Sequence, residues 1–373
     1  MNNPLWCSAR FLTAAIVLLM LLLQSGCGFK DIDKRLFVLS IGIDHSDNEE
    51  KPYKIILKLA VPSGSLKQSG TKYTYLTKES ESLASAIRLL KTHVDKEIDF
   101  GHAKVIVLGE DILHHDTTDV IDFFLRRRDI QKVSWVAVGT PTAESVLKAE
   151  PSSEMAGSHA LFNIFDQNGV ESSYIISTYL FDFYRRMVES GIDAILPVLS
   201  SSEDKKKIVT NSSILLNKNK EPLKLTTQET KLYNMMANNV EKFDIMIRRN
   251  ELLYTVSVDT AKSTYKIITT PNEKPVLKMD ITMEGIIEES NQEMDPHKLS
   301  TYSKYASEEE KKRITAFLKK LQENGADPLG FGLRYKATRL HTNDIYEEWE
   351  LLYPEISFDV NVKVSIMSTG IIE

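Results

Sequence analysis

"LFVLSIGID", Leu36–Asp44, places Phe37, Leu39, Ile41 and Ile43 on one side of an extended chain. A period of two marks a strand with one buried face, where a helix would repeat every three to four residues. "YKIILKLAV" (Tyr53–Val61) supplies a partner, and the acidic stretch Asp44–Lys51 between them reads as the turn of a hairpin. Downstream, Ser80–Val94 carries Leu83, Ala86, Ile87, Leu90 and Val94 at helical spacing. "KVIVL" (Lys104–Leu108) and "VSWVAV" (Val133–Val138) are short, nearly continuous apolar strands. Between them Thr118–Arg127 reads as a helix with Val120, Ile121, Phe124 and Leu125 inward. Thr140-Pro141 is expected to open another helix, with proline at its first position. A long helix is expected over Ser173–Ser190, ended by Gly191. Strands alternate with helices throughout, which defines an α/β half.

"SSSEDKKK" (Ser200–Lys207) is polar and aperiodic, and is read as the domain boundary. Beyond it, "IVTNSSILLN" is strand-like, and Thr226-x-x-Glu229 is a capping box. Strands are expected at Phe243–Arg248, Leu252–Val258, Lys266–Thr269 and Val276–Glu284. Ser307-x-x-Glu310 reads as the cap of a second helix with Ile314, Phe317, Leu318 and Leu321 inward, ending at Gly325. Ser357–Ser368 alternates apolar and polar residues as a strand with one wet face. Clustered strands with helices set apart make this half α+β. The expected fold class is therefore α/β plus α+β: a multi-domain body of mixed sheets and packed helices, with no transmembrane helix after processing. The expected domains are 27–200 and 208–373, the latter with a division somewhere in 240–290.

Toward the amino terminus, Phe11–Leu23 is apolar except for Thr13, and Arg10 precedes it. Thirteen residues fall short of the roughly 20 that span a bilayer and fit the core of an export signal. The run ends in Ser25-Gly26-Cys27 where an ordinary signal would show Ala-x-Ala. Small residues leading into a thiol suit a bacterial lipoprotein signal over 1–26, cleaved between Gly26 and Cys27, with diacylglycerol on the Cys27 sulfur and an acyl chain on its amine. The competing reading is an uncleaved anchor with a leftover thiol. Only eight residues separate Cys27 from Leu36, at most roughly 30 Å of chain, so the body is expected close to the membrane. Cys7 leaves with the signal, and no thiol remains for a disulfide.

Residues 1–26 hold one cation and no acid, so 46 basic residues fall to 45 against 52 acidic ones. That balance is opposite to a nucleic-acid footprint. The eight histidines show no zinc spacing, and His114-His115-Asp116 reads as a solvated loop whose adjacent side chains diverge. No G-x-S-x-G elbow is present, though Gly64-Ser65 and Gly70 give a flexible loop. Arg126–Arg128 sit at a helix end, where cations suit the dipole. Asp31, Asp33 and Asp44 show no partner that would tune a catalytic carboxylate. Gly330-Phe331-Gly332 lacks the third glycine and Lys-Ser/Thr pair of a phosphate loop. It is expected as a tight junction after Asp327-Pro328, either a packed corner or a contact surface for a partner subunit. No catalytic residue, metal or cofactor is expected.

Cys27 with "DID", "LFVLSIGID", "GHAKVIVLGEDI" (Gly101–Ile112), "FFLRRRDI" (Phe123–Ile130), "GADPLGFGLRYK" (Gly325–Lys336), Trp349 and the final "VNVKVSIMSTG" occur in this order. In this the mature chain resembles the Ger(x)C family of spore germinant-receptor lipoproteins. The resemblance implies a non-enzymatic subunit, lipid-anchored on the outer face of the spore inner membrane, with a fold of three packed domains. It further implies work with integral-membrane A and B subunits in response to a small nutrient such as an amino acid. Direct germinant binding by this body is not expected. Gly28-Phe29 stands where the family often has Trp-Asp, and Gln24 where a lipobox has Leu. The alternative classes are a solute-binding lipoprotein of an importer and an anchored cell-wall hydrolase. The first usually shows a tether and two similar lobes, and the second needs a carboxylate-pair or metal site.

Overall fold

The computed structural model describes residues 13–15, 17, 34–60, 73–115, 117–151, 159–168, 172–217, 221–238, 242–270, 273–339 and 345–370. Two units are separable, Met1–Arg35 and Leu36–Glu373. In the first, residues 13–15 and 17 are helical.

Strand β1 (Arg35–His45) pairs antiparallel with β2 (Tyr53–Ala60), and β2 with β3 (Tyr73–Ser80). The first hairpin is therefore as expected, whereas β3 was not legible as a strand. Helix α1 (Leu83–Leu90) starts later than the expected Ser80, because the Ser82 hydroxyl caps it by accepting from Ser85 N at 3.2 Å, and a 3-10 turn over Lys91–His93 carries it on almost to the expected Val94. The short β4 (Glu97–Asp99) pairs with β1, and β5 (Val105–Gly109), buried at every residue, runs parallel to it. Burial on both faces explains why β5 reads as a continuous apolar run. Helix α2 (Thr117–Arg126) turns Val120, Ile121 and Phe124 inward, and β6 (Trp135–Thr140) joins β5 in parallel.

Pro141 does not start a helix. It precedes Thr142, whose hydroxyl caps α3 (Ala143–Leu147) by accepting from Ser145 N at 3.1 Å. Helix α4 (Ala160–Asn163) runs into a π turn. The long helix expected over Ser173–Ser190 contracts to α5 (Leu180–Val188), because the segment before it is extended and bridges Trp135 through Tyr179. β7 (Ala194–Ser201) completes the parallel centre, and β8 (Ile208–Leu216) and β9 (Leu223–Leu225) follow antiparallel.

The order along this sheet is β3-β2-β1-β5-β6-β7-β8-β9. The stretch expected to separate domains is thus the turn between paired strands β7 and β8. It is closed by Ser202 N to Lys207 O at 2.9 Å. A hairpin turn and an inter-domain linker share the same polar, aperiodic composition, and only strand pairing distinguishes them.

Helix α6 (Thr227–Asn238) carries the capping box as read: Thr226 N donates to Glu229 at 2.8 Å and Glu229 N to the Thr226 hydroxyl at 3.3 Å. A second sheet follows, in the order β10 (Phe243–Arg249), β11 (Leu252–Ile268), β12 (Val276–Ser290) and β13 (Ser357–Ile366). β11 is one strand where two were expected, because its middle keeps its pairing to β12 while its mostly polar side chains alternate between exposed and half-buried. The division expected in 240–290 falls inside this paired sheet. Between β12 and β13 lie α7 (Leu299–Glu323), α8 (Phe331–Ala337) and α9 (Ile345–Leu352).

Ser307 is not a cap but lies inside α7, where its hydroxyl donates to Ser303 O at 2.7 Å and accepts from Val364 N at 2.9 Å. Ser303 does the same for Ile366 N at 3.0 Å. The outer backbone of edge strand β13 is thereby partly covered by the helix. Among the described residues no helix is long and apolar enough to cross a membrane. The fold is α/β plus α+β as expected. Its halves share a core, since Ile195, Leu215 and Leu225 of the first sheet pack in one cluster with Tyr254, Leu318 and Phe331.

Candidate functional site

Cys27 and Gly26, like Asp31, Asp33, Asp116, Gly64, Ser65 and Gly70, lie outside the described residues. Among the others, the most specific sequence block, Gly325–Lys336, forms a buried junction between the two halves. Gly325 (φ 62°) ends α7, and the chain turns at Asp327-Pro328 into Gly330 (φ 72°), which precedes α8. Both glycines take the left-handed conformation that other residues strain to adopt. Gly330 has no side chain to cap α8, so Asp327 does it. Its two carboxylate oxygens accept from Phe331 N at 2.9 Å and Gly332 N at 2.8 Å.

Asp193, at the entry to β7, reciprocates from the other half. Its backbone N–H donates to Asp327 O at 2.9 Å, and its carboxylate accepts from Asp327 N at 2.6 Å. Leu333 N donates to Gly191 O at 3.0 Å. Arg186 on α5 donates to Pro328 O at 3.0 Å, and the Tyr353 hydroxyl to Ala326 O at 2.8 Å. Phe331 is 1 % exposed and meets Tyr265 edge-on at 4.9 Å. Gly330-Phe331-Gly332 is therefore a packed corner in this conformation. The Phe331 side chain presents no surface to a partner, and the contact-surface reading loses its central residue.

Burial pushes the Asp327 carboxyl up to about 7. The Gly332 and Phe331 N–H groups pull the other way, and the Asp193 carboxylate adds to the rise. The folded value lies above the unfolded one, so between 3.8 and about 7 the folded chain keeps a proton that the unfolded chain has lost. This group's contribution to stability is thus largest at low pH and falls as pH rises through that window. Asp327→Asn is expected to melt below the parent at low pH, because its amide NH2 faces one of the two N–H donors, with the gap narrowing as pH rises and the parent's buried carboxyl ionises. It is also expected to lose part of the parent's decline in Tm between those values. Parallel curves of Tm against pH for the two proteins would refute the assignment.

The other candidates resolve into structural pairs. Asp44 has partners that sequence reading missed: it caps α3, accepting from Ala143 N at 2.6 Å and Glu144 N at 3.0 Å. An internal carboxylate thus satisfies the first N–H groups of this short helix. His114 bonds Glu221 at 2.8 Å, and His115 stacks on His45 at 3.9 Å. Arg126 pairs with Asp122, and Arg127 with Asp129.

A groove of about 620 Å³ lies between α6, β10 and α7. Lys231 donates to Asp244 O at 2.6 Å, Arg313 to Met246 O at 2.7 Å and to Glu310 at 2.6 Å, and Lys320 to Glu229 at 2.7 Å. Its charged walls are committed to one another and to the carbonyls of edge strand β10.

These observations define an α/β plus α+β body whose two sheets share a core and whose halves are joined by reciprocal buried aspartates. Comparison with known proteins supplies the family. A family model described as "Spore germination protein N-terminal domain" matches residues 28–201, and one described as "Spore germination B3/ GerAC like, C-terminal" matches 211–370. The chain belongs to this GerAC-like, or Ger(x)C, family of spore germination proteins.

"Putative spore germination protein YfkR" of Bacillus subtilis is 22% identical over 95% of this chain and 96% of its own. "Spore germination protein KC" of the same organism is 21% identical over 97% and 96%. "Spore germination protein GerQC" of Bacillus cereus is 22% identical over 74% and 77%. The crystal structure of the GerBC protein shares the fold, with a TM-score of 0.55 at 16% identity over 89% of this chain and 98% of that one.

Proposed function

We infer that this protein is the lipid-anchored, non-enzymatic C subunit of a spore germinant receptor. Family membership over nearly the whole chain beyond residue 27 is the observation that carries the reading. Ser25-Gly26-Cys27 after a short apolar run adds the anchor. Two or more acyl chains hold a protein stably at a bilayer where one does not, so the body needs no spanning helix. It would stand on the outer face of the spore inner membrane, beside integral-membrane A and B subunits that offer the pocket for the nutrient. The mutually paired charges of the α6–α7 groove support a body that transmits or stabilises and does not itself capture solute.

Cys27→Ala is expected to leave the body folded while abolishing the thioether diacylglycerol and the germination response to nutrient. Mass spectrometry of the mature protein from native membranes tests this directly, and an unmodified Cys27 would overturn the anchor.

A further inference from the structure

We propose that the β1–β6 side of the end at which the parallel strands of the large sheet begin rests on the lipid bilayer, with Val133, Tyr179 and Phe181 entering the interface, while the neighbouring entry to β7 is closed by the Asp193–Asp327 junction. The inference rests on the lipid-anchor reading of Cys27 and adds to it which way the body faces. These three side chains are 53%, 37% and 48% exposed. They form one patch. Phe181 N donates to Lys132 O and Leu180 N to Ser134 O, which places Val133 beside the 179–181 segment, and the Tyr179 and Phe181 rings stack at 5.8 Å.

Strand register locates the patch relative to the point where the tether enters. Ser40 of β1 is level with Val105 of β5, and Val105 with Trp135 of β6. Leu36 therefore lies beyond that level in the direction of Val133, two strands aside, on the order of 15 Å from the patch. From Leu36 only eight residues lead back to Cys27, a reach of at most roughly 30 Å. A short tether leaving this end holds the patch near the acyl chains. Tyrosine and exposed cations favour the headgroup level, and Arg128, in the loop leading to β6, is exposed at the same end. The opposite end carries the β1–β2 turn with exposed Asp47, Glu49 and Glu50 together with the β7–β8 turn with exposed Lys205, Lys206 and Lys207, so the orientation rests on the apolar patch and the short tether and not on charge.

The test uses the mature chain in vesicles of phosphatidylethanolamine and phosphatidylglycerol doped with nitroxide lipid and free of other proteins. Single cysteines at Phe181→Cys, Val133→Cys and Glu49→Cys carry an environment-sensitive fluorophore, and Val133→Cys serves as a second probe should Phe181→Cys unfold. Labels at 181 and 133 are expected about 5–10 Å inside the headgroup boundary and quenched, with the label at 49 in water. Equal quenching at all three positions, or quenching at 49 alone, overturns the proposal. So does quenching at 181 and 133 that appears only in native spore membranes, since the patch would then face a protein. Selective quenching with an unmodified Cys27 refutes the anchor and leaves the face standing. Unquenched labels on a lipidated Cys27 do the reverse.

Discussion

Gly332→Ala is expected to open the junction between the two halves. A Cβ there would lie 2.5 Å from Gly191 Cα and 2.6 Å from Trp349 Nε1. Neither neighbour can retreat cheaply. Gly191 is held at φ 83° with its carbonyl bonded to Leu333 N, and Trp349 is 4 % exposed. Helix propensity alone would favour alanine by up to about 1 kcal/mol. Overpacking costs about 1–3 kcal/mol, and each junction hydrogen bond lost adds about 1 kcal/mol, so the steric effect wins. A clear fall in Tm, with loss of the germination response, is expected. A variant that melts with the parent would show that the two backbones part without consequence.

Phe331→Ala should be as severe for a different reason. The side chain is 1 % exposed and seated against Tyr265. Truncating a buried phenylalanine typically costs about 3–5 kcal/mol, because the cavity it leaves collapses only in part. Thermal melting of the soluble body tests this, with the germination response measured in parallel. If the body melts unchanged while germination fails, the corner is a partner surface in the working receptor and its packing is incidental.

Much of this junction was visible in the sequence, and its other side was not. Two glycines around Phe331, after an Asp-Pro that breaks a helix, announce a tight turn from local geometry alone. Their partners Gly191 and Asp193 stand more than 130 residues earlier, and no periodicity connects them. Asp44 hid in the same way, because a carboxylate that caps a distant helix looks like any strand-end acid.

The two Ser/Thr-x-x-Glu motifs show where local reading is ambiguous. At Thr226 the motif opens a helix, whereas at Ser307 the same spacing sits inside one. A three-residue spacing also places two side chains on one face of a helix already under way. The apolar alternation of β13 was legible because one face is buried and the other wet, whereas β1 and β2, buried on both faces over Ser40–Asp44 and Ile55–Leu59, were legible from their apolar content. The middle of β11 was not, because its mostly polar side chains there alternate between exposed and half-buried.

The sheet that passes through the Ser202–Lys207 turn also bears on ancestry. The two family segments meet across that turn, yet β7 and β8 are hydrogen-bonded neighbours and the core around Ile195 and Leu215 extends into the second half. A recombinant that took residues 28–201 from one relative and 211–370 from another would have to rematch a strand pair, a shared core and two aspartates together. Substitutions on one side of the turn that touch the strand pair, the shared core or either aspartate are therefore expected to need matching changes on the other side.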